Sequence, residues 1–163
     1  MLPLKKTLKN KLKGADRVAV LGVGSDIRGD DAAGVIVAER LGRKMANRRR
    51  KFRVFIGATA PENLTGQIRQ FKPSHLIIVD SADFGKPAGR VKLIETQDFG
   101  GASFCTHKLP LKIMIEYLVR LLKCEIIVIG IQPKSFTFCS RPTKAVAAAI
   151  TQVCSAINTA LEQ

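Results

Sequence analysis

No stretch of this chain reaches the ~18 consecutive apolar residues that a membrane span needs, although 46% of its 163 residues are hydrophobic. The first seventeen residues, MLPLKKTLKNKLKGADR, also lack the apolar segment of a secretory signal, so a cytoplasmic location is expected. Cysteine is sparse and scattered. Cys105, Cys124, Cys139 and Cys154 form no C-x-x-C pair, which speaks against a zinc knuckle or a dithiol redox centre and for incidental thiols. Acidic residues are scarce as well, 13 against 27 Lys and Arg. Several catalytic signatures are missing. There is no Gly-Lys-Ser/Thr phosphate loop and no Gly-x-Ser-x-Gly nucleophile elbow. Gly22-x-Gly24 is followed by Ile27, with Gly29 two positions late, so the third glycine of a dinucleotide fingerprint is absent.

The net charge is +14 and the excess is localised. Residues 1–17 hold six Lys/Arg and residues 40–53 (RLGRKMANRRRKFR) hold eight. Only Phe52 is interleaved there as a stacking platform, so nucleic acid is an unfavoured partner. A solvated basic face, or one that docks an acidic protein, is the expected reading. Residues 4–13 set Leu4, Leu8 and Leu12 four apart on a basic helix, expected to pack weakly on the body. A membrane-surface helix is the alternative.

The size is that of a single domain, 1–163, with residues 1–16 as an appended basic helix. Strand and helix patterns then alternate. Strands are expected near 17–23, 52–57, 75–80, 90–94 and 125–131, and helices near 30–46, 62–71, 110–123 and 142–161. The apolar run at 18–21 suits a strand buried on both faces, the run within 75–80 is the clearest strand pattern, and that within 125–131 reads as the last central strand. Helical crossovers make such strands parallel and right-handedly joined. The alternating run Arg90–Ile94 follows a short loop and reads as an edge strand antiparallel to its predecessor. The expected fold is a three-layer α/β/α sandwich of about five strands, mostly parallel and twisted, with one antiparallel edge strand. The loops after residues 22, 57, 80 and 131 should then open at one sheet edge, where ligands bind in such folds.

That edge receives six of the scarce acids: Asp26, Asp30, Asp31, Glu62, Asp80 and Asp83. Crowded carboxylates need a cation or a shared proton. His107 lies in an irregular stretch before a helix and could fold over the same edge. Asp31, Asp80 and His107 would make a three-ligand set for a borderline divalent metal, with Cys105 a further candidate. Each has a plainer reading. Asp30 suits a helix N-cap, Asp31 and Glu62 first-turn charges, and Asp80 a side-chain cap of the next turn. His107 could be an ordinary loop histidine, and His75 has no partner visible in the sequence.

Several motifs occur in order: Gly22-Val23-Gly24-Ser25 with Gly29-Asp30-Asp31-Ala32-Ala33-Gly34; Ala60-Pro61-Glu62-Asn63; Ile77-Ile78-Val79-Asp80 with Asp83-Phe84-Gly85 and Pro87-Ala88-Gly89; Thr106-His107-Lys108-Leu109-Pro110-Leu111; and Gly130-Ile131-Gln132-Pro133. With them the chain resembles the nickel-iron hydrogenase maturation endopeptidases of the HycI type. The family commonly has Asn at the place of Ser25 and Gly at that of Ala32. The resemblance implies a cytoplasmic, aspartic-type, nickel-dependent endopeptidase. It would remove a C-terminal extension from a hydrogenase large-subunit precursor after nickel insertion. Asp31, Asp80 and His107 would be both metal-binding and catalytic, and Glu62 and Asp83 would shape the substrate cleft. Nickel would arrive with the precursor, so no permanently bound cofactor is expected, and the protein would work as a monomer. The alternative on the same scaffold is a non-catalytic metal-binding or nickel-chaperone module.

Overall fold

The computed structural model describes residues 4–48, 51–94 and 108–162. Helix α1 (Leu4–Lys11) leads into strand β1 (Val18–Val23), a 3-10 turn at Gly29–Ala32 and helix α2 (Ala33–Lys44). Strand β2 (Phe52–Ala58), a 3-10 turn at Pro61–Leu64 and helix α3 (Thr65–Phe71) follow. Then come strands β3 (His75–Ser81) and β4 (Val91–Ile94), helix α4 (Lys108–Leu122), strand β5 (Glu125–Ile131) and helix α5 (Lys144–Leu161). The sheet order is β2-β1-β3-β5-β4, parallel except for β4.

The three apolar runs become β1, β3 and β5, which lie side by side in the middle of the sheet. All six residues of β1 are buried. Side chains alternate between the two faces, as the strand period of two requires. Val18, Val20, Ile77, Val79, Ile127 and Ile129 pack with α1, α2 and α5. Ala19, Leu21, Leu76, Ile78 and Val128 pack with α3 and α4. The sheet is therefore covered on both sides and the sandwich has three layers. Truncating a fully buried side chain such as Ile78 to Ala should cost about 2–5 kcal/mol.

Two expectations shift. β4 runs antiparallel as anticipated, but its hydrogen-bond partner is β5, Val91 opposite Ile131 and Ile94 opposite Val128. The later strand β5 inserts between β3 and β4 because its long apolar run can be covered on both faces and the short, half-wet β4 cannot. Helix α1 packs more firmly than expected. Leu8 and Leu12 are buried in the core beside α5 residues Ile157 and Ala160, and Gly14, at φ +79°, turns the chain toward β1.

The expected helices at 30–46 and 62–71 each begin as a tight 3-10 turn. In the first, this brings α2 against the sheet at glycine contacts. A Cβ on Gly34 would overlap the carbonyl oxygens of Val23 and Val79, and one on Gly22 would overlap Gly34 and Ala38. The start of α2 is thereby seated over β1 and β3. Among the described residues no helix is long and apolar enough to cross a membrane.

Candidate active site

The order β2-β1-β3-β5 makes the chain leave β1 in one direction and β3 in the other. The gap between the carboxyl ends of β1 and β3 is thus the topological switch point, the usual ligand crevice of an open α/β sheet. Asp31 reaches this point from the turn after β1. Asp80 reaches it from the penultimate residue of β3.

Asp31 is held as an oriented acceptor. The Ser25 backbone N–H donates to its Oδ2 at 3.0 Å, and the Ser81 hydroxyl donates to its Oδ1 at 2.8 Å. Gly24 makes this closure possible. It sits at φ +126°, and a Cβ there would collide with the Asp31 carbonyl. Ser25 contributes through its main chain, so the contact itself does not depend on the identity of its side chain.

Asp80 is the opposite case. It is buried, 7% exposed, and its Oδ1 has no hydrogen-bond partner among the described residues. Burial, and secondarily the negative charge of Asp31, push its carboxyl up to about 7, against a small lowering by the Ser81 backbone. Asp80 therefore holds a proton far more readily than an ordinary carboxyl. Either remedy for crowded carboxylates, a proton or a cation, would relieve the pair. A buried oxygen without a partner next to a fixed carboxylate is also an open coordination position. Among the described residues no three His, Cys, Asp or Glu side chains gather to hold a metal. The expected third ligand His107, and the further candidate Cys105, lie outside the described residues.

Asp30 is not the expected helix N-cap. It is wholly buried and does not cap its own helix. Its Oδ2 accepts from the backbone N–H groups of Lys134 at 2.7 Å and Ser135 at 3.0 Å, and its two oxygens take the N–H and hydroxyl of Thr143. Asp30 thus fastens the loop after β5 and the N-cap of α5.

Glu62 and Asp83 are exposed on the loops after β2 and β3. Asp83 is tied down: Gln132 Nε2 and the Gly85 N–H both donate to its Oδ1 at 3.0 Å. Those two bonds, the Gln132 one foremost, lower its carboxyl below the usual range. Gln132 also accepts from the N–H groups of Phe84 and Lys86 through Oε1, and so organises the whole loop after Asp80. No role for Gln132 is visible from pattern alone; its place in the Gly-Ile-Gln-Pro motif is the one sequence signal. His75 turns out to have partners, Ser74 Oγ at 3.0 Å and Glu125 Oε2 at 3.4 Å, at the opposite end of the strands. A cavity of about 910 Å³ lies at that far edge too, lined by Leu12, Val18, Met45 and Phe52. It holds no carboxylate of the Asp31–Asp80 pair, which lies at the other edge. Cys124 and Cys154 are held up by burial, Cys124 to about 11, as inert thiols.

An α/β sandwich with a titratable carboxylate pair at its switch point has the layout of an acid–base enzyme centre. The model of the family HycI, hydrogenase maturation protease, matches residues 35–160. The Hydrogenase 3 maturation protease of Escherichia coli K12 is 36% identical over 115 residues, 70% of this chain and 71% of that protein. A Methanocaldococcus jannaschii protein that carries a provisional hydrogenase maturation protease name is 35% identical over 141 residues, 83% of each chain. Among solved structures, the [NiFe] hydrogenase maturation protease HycI of Thermococcus kodakarensis superposes with a TM-score of 0.84 at 30% identity, covering 96% of this chain and 99% of that one. The chain belongs to the HycI family of hydrogenase maturation proteases.

Proposed function

We propose that this endopeptidase removes the C-terminal extension of a nickel-iron hydrogenase large-subunit precursor once nickel has been inserted, and that the nickel carried by the substrate is what it recognises. Asp31, Asp80 and His107 are the ligands offered to that nickel. The observation that carries the reading is the Asp31–Asp80 pair at the switch point, with the unpartnered Asp80 Oδ1 beside an Asp31 fixed by Ser25 and Ser81.

The two acids divide the work. Asp31 stays a fixed acceptor in a pre-organised position. Asp80, with a carboxyl near 7, is matched to taking a proton from the attacking water at cellular pH. Protease activity would be aspartic in type, with the substrate's nickel as tether and checkpoint. Glu62 and Asp83, exposed on the flanking loops, would border the bound peptide.

The test is cleavage of a purified precursor loaded with nickel, beside the same precursor without it. Shortening of the loaded form alone supports the reading. Equal cleavage of both forms removes nickel from recognition, and cleavage of neither removes the substrate assignment.

A further inference from the structure

The loop after β5 combines two properties that seldom occur together: it is held rigidly, and it presents large apolar side chains to water. Phe136 is 40% and Phe138 65% exposed, and Ile27, in the loop after β1, is 48% exposed. The two loops are joined, because the Cys139 N–H donates to the Ile27 carbonyl at 2.8 Å. Below them lies Asp30, with its bonds to Lys134, Ser135 and Thr143. A second tie runs from the Asp30 N–H to the Ser135 carbonyl at 3.0 Å. Ser135 Oγ then pairs with Thr137 Oγ1 at 2.8 Å, and Cys139 takes a left-handed backbone at φ 54°. The hydrophobic effect alone would fold these rings inward. Instead a fully buried carboxylate holds their backbone outward.

The charge around them is mostly positive. Lys134, Arg141 and Lys144 flank the rings, with Arg28 beside Ile27, and all four are exposed. Between Gln132 and Asn158 the loop and α5 contain no acid. Asp26, next to Ile27, is the one exposed acid in the facing segment between β1 and α2. The platform lies at the carboxyl edge of the sheet, the edge that carries Asp31 and Asp80.

We infer that Ile27, Phe136 and Phe138, ringed by Arg28, Lys134 and Arg141, form the docking platform for the protein substrate, and that it takes an acidic surface segment with protruding apolar side chains. Aromatic anchors on a pre-organised loop give affinity at low entropic cost, and the basic ring steers an acidic partner. This inference rests on the proteolytic reading and adds to it a site away from the scissile centre. Specificity for one precursor would then come from this platform, and permission to cleave from the metal.

The experiment compares wild type with Phe136→Ala/Phe138→Ala and with Lys134→Glu/Arg141→Glu. Each is assayed for cleavage of nickel-loaded precursor and, separately, for precursor binding by calorimetry. Because both rings stand in solvent, the unfolding midpoint of the double alanine variant should stay within about 2 °C of wild type. Its KM and its dissociation constant should rise at least tenfold, with kcat changed less than twofold. The charge reversal should raise KM at low salt, with the deficit shrinking as salt screens it. Unchanged KM and binding in both variants overturn the platform while leaving the protease reading intact. Lost binding in the variants, with no cleavage even by wild type, overturns cleavage of this precursor and keeps the platform. A wild-type dimer that the double alanine variant dissolves, seen by light scattering, overturns the assignment in favour of a second copy of this chain.

Discussion

Asp30 and Asp31 are adjacent in the chain and share one 3-10 turn, yet their surroundings differ completely. Asp30 is saturated by the loop after β5 and the start of α5. Asp31 accepts from Ser25 and Ser81 and faces Asp80, whose Oδ1 has no partner among the described residues. The first is a fastener and the second is half of the pair that we propose as the reactive centre. A buried carboxylate whose lone pairs are all used holds a fold together. One left beside an unsatisfied partner is poised to bind a proton or a cation.

The largest expected effect separates the two on activity. Asp31→Asn or Asp80→Asn should lower precursor cleavage by about 10²–10⁴-fold while the protein remains folded. A variant retaining more than a tenth of wild-type turnover would erase the distinction. Next comes stability. Asp30→Ala orphans the four part-buried donor groups it served and should cost on the order of 3–5 kcal/mol in urea unfolding, several times the cost of Asp31→Asn. Comparable losses in the two variants would mean that both acids are structural.

The third prediction is a pH dependence. Asp80 titrates at about 7 in the folded protein and near the ordinary 3.8 when unfolded. Between those values the native state binds a proton that the unfolded chain does not. Asp80 therefore makes the protein less stable as pH rises from about 4 to about 7, and its penalty is constant above that. Asp80→Asn should flatten this slope and be more stable than wild type at pH 8, as denaturant midpoints across the range would show. A slope unaltered by the substitution would place the shifted proton elsewhere. The smallest effect is expected at Ser81. Ser81→Ala removes one bond to Asp31 and should cost about 1 kcal/mol in stability and about tenfold in cleavage. Full activity there would show that Ser25 alone orients Asp31.

Much of the architecture was legible because the central strands are buried on both faces and so read as unbroken apolar runs. Val18–Val23, His75–Ser81 and Glu125–Ile131 fall within a residue of their expected places. The parallel pairing also put the loops bearing Asp31 and Asp80 at one edge. The partner of β4 was not legible, because alternation in Arg90–Ile94 announces an edge strand without naming its neighbour. The role of Asp30 was hidden for a related reason. Its donors lie 104 to 113 residues away, and a local pattern offers only the helix cap. Gln132 likewise joins segments 46 to 49 residues apart. The expected contribution of His107 concerns a position outside the described residues.

By itself the sequence determined the order of strands and helices, the edge on which the acids gather, and the family. Those follow from hydrophobic period and chain direction, which act over short spans. Only the tertiary structure decided which carboxylate is spent on hydrogen bonds and which is left wanting one. That depends on donors brought together from distant parts of the chain, in a dry interior where each missing partner is felt at full strength.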